Sequence, residues 1–159
     1  MLAFKPTTPN PKLDSQVLFH HRLAAIVNDR HALSNRSAIT FEELQNYDLA
    51  LTKKGTQARD AFERAIAQTD YSFRIKVEMN TVYLMFRLIR ESNYVTLLSE
   101  STVVAEQGLK AIPITDTNTP QKQMHGCIHQ LKNTYVKRAA REFFRMLGES
   151  TSVIFNQAR

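Results

Sequence analysis

The clearest alternation of apolar and polar positions falls in Arg74–Met79, where Ile75, Val77 and Met79 alternate with Arg74, Lys76 and Glu78. A period of two predicts a half-buried strand. Asn80 follows, and its side-chain oxygen suits a helix N-cap. Val82, Met85, Phe86 and Ile89 then recur at i, i+3, i+4 and i+7, the stripe of an amphipathic helix. Ser92-Asn93 is expected to end it, because asparagine tolerates the left-handed conformation that closes many helices. Tyr94–Leu98 is nearly continuous in apolar residues and predicts a strand covered on both faces. Together these make a strand–helix–strand unit of an α/β fold. In open parallel sheets, ligands sit beyond the carboxyl ends of the strands, where helix N-termini present unpaired N–H groups. Asn80, Thr81 and Ser99 fall at such ends.

The remaining pattern extends the same alternation of elements. Met1–Lys12, with Pro6, Pro9 and Pro11, is expected to be irregular. Leu18–Val27 predicts one strand, and Asn28–Arg36 a polar loop with a helical turn. Thr40 with Glu43 three residues on is a capping box, opening a short helix Phe41–Asn46. Leu49–Thr52 predicts a strand. A helix follows over residues 57–68, with Ala58, Ala61, Phe62, Ala65 and Ile66 on its buried side. Thr102–Gln107 reads as a short helix closed by Gly108, and Leu109–Ile114 as a strand stopped by Asp116–Pro120. Met124–Leu131 is strand-like. Lys137–Leu147 predicts a final helix ended by Gly148, and Glu149–Arg159 a loose tail in which Val153-Ile154-Phe155 is the apolar part.

Composition narrows the class without naming a function. At 159 residues, 43% hydrophobic and 23% charged, the chain has enough material for one folded domain. No apolar run reaches the length of a membrane span, and Met1–Asn10 lacks a signal-peptide layout. The single Cys127 excludes an internal disulfide and suits a reducing cytoplasm. The net charge of +6 is compatible with nucleic acid, but lysine and arginine are spread along the chain. A solvated basic surface is the favoured reading.

Candidate chemistry is sparse. Thr52-Lys53-Lys54-Gly55-Thr56 joins a strand to a helix and combines glycine, backbone N–H groups and lysine, the components of an anion site. It is not a phosphate-binding P-loop, whose spacing is absent. On the residues alone an ordinary loop with solvated lysines is favoured. His20 and His21 are adjacent on a strand and point to opposite faces, so they cannot share an ion. His125, Cys127 and His129 could share a face, yet no fourth ligand accompanies them. Neither a metal nor a cofactor is expected. Cys127 has no signature base around it, and no paired carboxylates stand out, so an enzyme is disfavoured.

Several stretches resemble the effector-binding domain of LysR-type transcriptional regulators. They are Glu78-Met79-Asn80 with the helix after it, Val95-Thr96-Leu97-Leu98-Ser99, and Glu106–Ile114. Upstream, Leu18–Leu33 and Ile39–Leu51 resemble the same family. The resemblance covers about Leu13 to Leu147. Ser92-Asn93-Tyr94 stands where the family has a Gly-x-Gly turn, and His31-Ala32-Leu33 lacks its usual proline. The resemblance implies a type II periplasmic-binding-protein-like fold, with one complete α/β subdomain and part of another. Residues 1–30 would belong to the partial subdomain and its crossover, 31–99 to the complete one, 100–148 to the return, and 149–159 to a tail. The family's DNA-binding helix-turn-helix and its first β-α-β portion are not recognised in this chain.

The resemblance also turns the reading of the loop after Thr52. It implies a small effector, expected to be anionic, held by Thr52, Lys54, Thr56, Asn80, Thr81 and Ser99. It implies self-association through Arg74–Glu91, and DNA contact only through a helix-turn-helix outside this chain. No membrane partner is expected. The alternative is a stand-alone ligand-binding or interaction protein of the same fold.

Overall fold

Leu49-Ala50-Leu51 is inaccessible on both sides, and that strand organises the larger of two units. The structure is a computed structural model that describes residues 2–4, 10–115, 124–132 and 137–156. Its elements are β1 (Leu2–Phe4), β2 (Leu13–His21), β3 (Leu23–Asn28), α1 (Phe41–Leu44), β4 (Asp48–Thr52), α2 (Gln57–Ile66), β5 (Arg74–Met79), α3 (Val82–Arg90), β6 (Thr96–Ser99), a 3-10 turn (Glu100–Val103), β7 (Leu109–Pro113), β8 (Met124–Leu131) and α4 (Arg138–Asn156). One unit comprises residues 1–21 and 124–159, the other residues 22–123. The division therefore places Leu23–Asn28 and Leu109–Pro113 in the larger unit.

In the larger unit β4 pairs in parallel with β5. On its other side it meets the start of β6 through a parallel bridge, Leu49 to Val95, closed by Ala50 N–H to Val95 O and Val95 N–H to Asp48 O, both at 3.0 Å. β3 runs antiparallel to β6 and to β7. The strand order is thus β5-β4-β6-β3-β7. The expected strand–helix–strand unit exists, but its two strands flank β4 rather than pair with each other.

Both faces of the central strands β3, β4 and β6 are covered, which is why these are apolar without alternation. Leu49, Leu51, Val95, Leu97, Ala25 and Val27 face Phe41, Leu44, Phe62 and Ala65 of α1 and α2. Ala24, Ile26, Ala50 and Leu98 face Met85, Phe86 and Ile89 of α3. Val82, expected in the buried stripe, is 38% exposed at the helix start. Thr40 and Glu43 form the anticipated capping box.

The turn after α3 is held by side chains from the β3 exit. Asn28 donates to the carbonyls of Ile89 at 3.0 Å and Ser92 at 2.6 Å, and its Oδ1 accepts from Arg30 N–H. The His31 Nδ1 accepts the Leu33 N–H at 3.1 Å, so its Nε2 carries the proton and donates to Asn93 O at 3.2 Å. Burial lowers the His31 pKa, and the Asn93 bond only partly opposes this.

The smaller unit is an antiparallel sheet, β1-β8-β2, with α4 against β2. Four expectations are corrected here. The single strand Leu18–Val27 is two strands, because β2 pairs with β8 whereas β3 pairs with β6 and β7. No turn residue marks the break. Leu2–Phe4 is a strand: the prolines predicted irregular chain, the family resemblance implies the end of a strand at this segment, and β8 supplies its partner. The final helix continues through Gly148 to Asn156, because that glycine keeps a negative φ, unlike Gly55 and Gly108. Finally, the helix expected over Thr102–Gln107 is the 3-10 turn Glu100–Val103, and Gly108 (φ 74°) makes the bend into β7. Asp116–Pro120 and the side chains of Val153, Ile154 and Phe155 lie outside the described residues.

Two stability outcomes follow from this packing. The Thr96 hydroxyl is fully buried and has no hydrogen-bond partner among the described residues. Thr96→Val removes it at nearly constant shape and should be neutral or stabilise by up to about 1 kcal/mol in urea unfolding; a clear loss would contradict this reading. As pH falls below 6.5, the unfolded chain takes up a proton that native His31 resists, so stability falls with pH until the lowered native pKa is reached. Between pH 7.5 and 5.5, His31→Gln should lose less stability than the unsubstituted chain.

Candidate functional site

Because β5, β4 and β6 run in parallel, Met79, Thr52 and Ser99 end at one edge of the sheet, with Thr52 in the middle. The chain after Thr52 enters α2, and the chain after Met79 enters α3. The two helix N-termini therefore rise from adjacent strands. Thr56 and Thr81 are the N-cap residues, both extended, and neither makes a side-chain cap hydrogen bond. Asn80, expected as the cap, is one residue too early. It is exposed at the bend between β5 and Thr81. The opening N–H groups of each helix, 10 and 9 residues long, carry the positive end of the helix dipole.

The β4–α2 loop is tied down from within. The Thr56 hydroxyl donates to Lys53 O at 3.0 Å and lies 2.6 Å from the Thr52 hydroxyl, which therefore donates to it. Thr52 itself is buried. Lys53 N–H donates to Met79 O at 3.2 Å, which fastens the loop to the end of β5. Gly55 turns with φ 89°, a left-handed conformation that other residues adopt only under strain. Its N–H donates to the Asp60 carboxylate at 3.1 Å. Lys54 is exposed. On β6, Ser99 is buried; its hydroxyl bonds Ser101 at 2.8 Å, and its carbonyl accepts from Thr102 Oγ1. The topology thus brings Thr52, Lys54, Thr56, Asn80, Thr81 and Ser99 to one sheet edge.

Arg59 escaped the sequence reading. It is 4% exposed, although it sits among the small apolar residues of α2. Its guanidinium donates to Thr52 O at 3.3 Å, to Glu63 at 2.6 Å and to Glu78 at 2.5 Å. Burial pulls its pKa down, but the bonds to Glu63 and Glu78 more than offset that and leave it raised. The sequence carries one partial signal, the Arg59–Glu63 spacing of i, i+4; Glu78 becomes a neighbour only through the strand order.

The described histidines form no comparable site. His129 is buried, with Nδ1 2.7 Å from the Ser15 hydroxyl, and His21 is buried at the end of β2. The side chains of His20 and His125 lie outside the described residues. Among the described residues, no group of three or more His, Cys, Asp or Glu could hold a metal ion.

The LysR substrate binding domain family matches residues 1–152, and the chain belongs to that family. The Synechocystis PCC6803 CcmR regulatory domain in complex with 2-PG aligns with a TM-score of 0.79 at 18% identity, covering 94% of this chain and 72% of that one. The effector binding domain of QuiR in complex with shikimate gives 0.78 at 16% identity, covering 95% and 71%. The fold is therefore the type II periplasmic-binding-protein-like α/β fold of LysR regulatory domains. The malolactic fermentation system transcriptional activator of Lactococcus lactis subsp. lactis (strain IL1403) is 20% identical over 139 residues, 87% of this chain and 47% of the relative. The chain spans about half the length of that curated relative.

Arg59→Met should destabilise the larger unit by about 1–3 kcal/mol, the cost of leaving the Thr52 carbonyl and two carboxylates with fewer partners. Equilibrium urea unfolding measures it, and a change below a few tenths would show that Arg59 is dispensable.

Proposed function

We propose that this chain senses a small anionic effector as the regulatory domain of a cytosolic LysR-type transcriptional regulator. The observation that carries this reading is the pair of side-chain-uncapped helix N-termini, α2 and α3, on adjacent parallel strands, with Lys54 exposed in the loop before one of them. Such termini favour carboxylate or phosphate groups. Domains of the same fold occur with 2-PG and with shikimate. Thr52, Lys54, Thr56, Asn80, Thr81 and Ser99 supply this unit's share of the contacts, and Arg59 holds the Thr52 loop in place. Binding shifts a conformational equilibrium that a DNA-binding part, outside this chain, reports. No helix among the described residues is long and apolar enough to cross a membrane.

Self-association belongs to the same reading. Tyr83 is 65% and Leu84 51% exposed at the start of α3, beside Val82. Among the described residues β5 pairs only with β4, so its other edge is open. This face is the surface through which two copies associate.

Two outcomes test these claims. Phosphate, sulfate and small carboxylates should stabilise the chain against heat in proportion to ligand concentration, whereas neutral analogues should not. Lys54→Ala and Thr52→Val should each weaken that effect about fivefold or more, and equal binding by both variants would place the site elsewhere. By light scattering, the chain should associate as its concentration rises, and Tyr83→Glu with Leu84→Glu should abolish this. A monomer at every concentration would refute the association surface.

A further inference from the structure

The two units differ sharply in charge. Residues 22–123 carry thirteen Lys and Arg against twelve Asp and Glu, whereas residues 1–21 with 124–159 carry eight against three. Nearly all of the chain's net charge of +6 therefore belongs to the smaller unit. In the larger unit four of the eight arginines are in these ion pairs: Arg36 with Glu43, Arg59 with Glu63 and Glu78, Arg74 with Asp48, and Arg90 with Glu106. In the smaller unit one ion pair is formed among the described residues, Arg145 to Glu142, and Asp14 bonds Gln130. The spread of basic residues along the sequence concealed this segregation.

Five of those eight cations fall where β2 begins and β8 stops or in the chain soon after β8. Lys132 N–H donates to Lys12 O at 2.9 Å where β2 begins and β8 stops. Lys137, Arg138 and Arg141 come soon after in the chain, all exposed, as is Lys12. Among the described residues none of Lys12, Lys137, Arg138 and Arg141 is in an ion pair. Arg138, Arg141 and Arg145 follow i, i+3, i+7 and so share one face of α4. The first turn of α4 holds no acidic residue. Cations there are opposed by the helix dipole, which favours anions at that end. Helix stability therefore does not account for this placement, but a polyanionic partner does.

We propose that the basic end of the smaller unit, Lys12, Lys132, Lys137, Arg138 and Arg141, contacts the phosphate backbone of duplex DNA without regard to sequence. The choice of DNA over another polyanion rests on the reading of this chain as part of a transcriptional regulator, which would hold the unit near a duplex. Arg138 and Arg141 rise about 4.5 Å apart along the helix, within reach of neighbouring phosphates on one strand through their long side chains.

The test is fluorescence anisotropy of the full chain with labelled duplexes of unrelated sequence, in salt steps from about 50 to 300 mM. Binding should be weak, equal for all duplexes and lost as salt rises. Arg138→Glu with Arg141→Glu should abolish it at low salt. Lys53→Glu with Lys76→Glu, an equal change of charge in the larger unit, should leave it within about twofold. Arg138→Gln with Arg141→Gln, checked for folding by circular dichroism, should reduce the slope of log K against log salt by about 2, since each phosphate neutralised contributes roughly 0.9 to that slope. Equal losses in both Glu pairs would mean that net charge alone is read, and would overturn the site. No binding at low salt would also overturn it, as would binding to anionic lipid vesicles but not to DNA. None of these readouts involves an effector, so failure here leaves the effector reading standing.

Discussion

The position of β4 constrains everything that matters in the larger unit. Its three central residues are inaccessible, and parallel neighbours take its hydrogen bonds on both sides. A parallel strand cannot be reached by a tight turn, so the chain must return through a helix each time. With apolar side chains on both faces, α2 and α3 have separate layers to fill. The consequence is directional. Strands that run in parallel end together, and the helices that follow start together. The candidate site is thus a product of strand direction before it is a product of particular side chains.

Arg59 connects that constraint to the loop chemistry. A buried guanidinium would be costly alone, but here it has two carboxylates and a carbonyl as partners. Glu63 lies one turn further along α2 and Glu78 on β5, so Arg59 ties both elements to the end of β4. The Thr52 carbonyl that accepts from Arg59 lies directly before the Lys53–Thr56 turn. Lys53 N–H adds the link to Met79 O. The loop thereby gains a fixed shape at the point where Lys54 and the α2 N-terminus face solvent.

Much of the larger unit was legible in the sequence because its cues are local. The alternation in Arg74–Met79, the stripe Met85, Phe86 and Ile89, and the Thr40–Glu43 box all depend on residues within two turns of one another. What escaped depends on partners distant in sequence. The break between β2 and β3 falls at Arg22, with no Gly, Pro or Asn to mark it, and exists because each half pairs with different strands. Leu2–Phe4 becomes a strand only beside β8. The cap moved from Asn80 to Thr81 because β5 holds its extended pairing through Met79 opposite Thr52, which shifts the first helical turn by one residue. Arg59 was invisible for the same reason: only the folded strand order brings Glu78 beside it. At the candidate site, periodicity located the loops, while the family resemblance picked out the residues.

The central claim is that the paired N-termini of α2 and α3 receive an anion. Amide NMR shifts during titration with inorganic phosphate and a small carboxylate address it most directly. The account predicts saturable, concentration-dependent shifts at the amides of Gln57 and Ala58 and of Val82, Tyr83 and Leu84, with the amides of β3 and β7 little changed. Shifts centred on Cys127–His129, or none at either helix start, would contradict it.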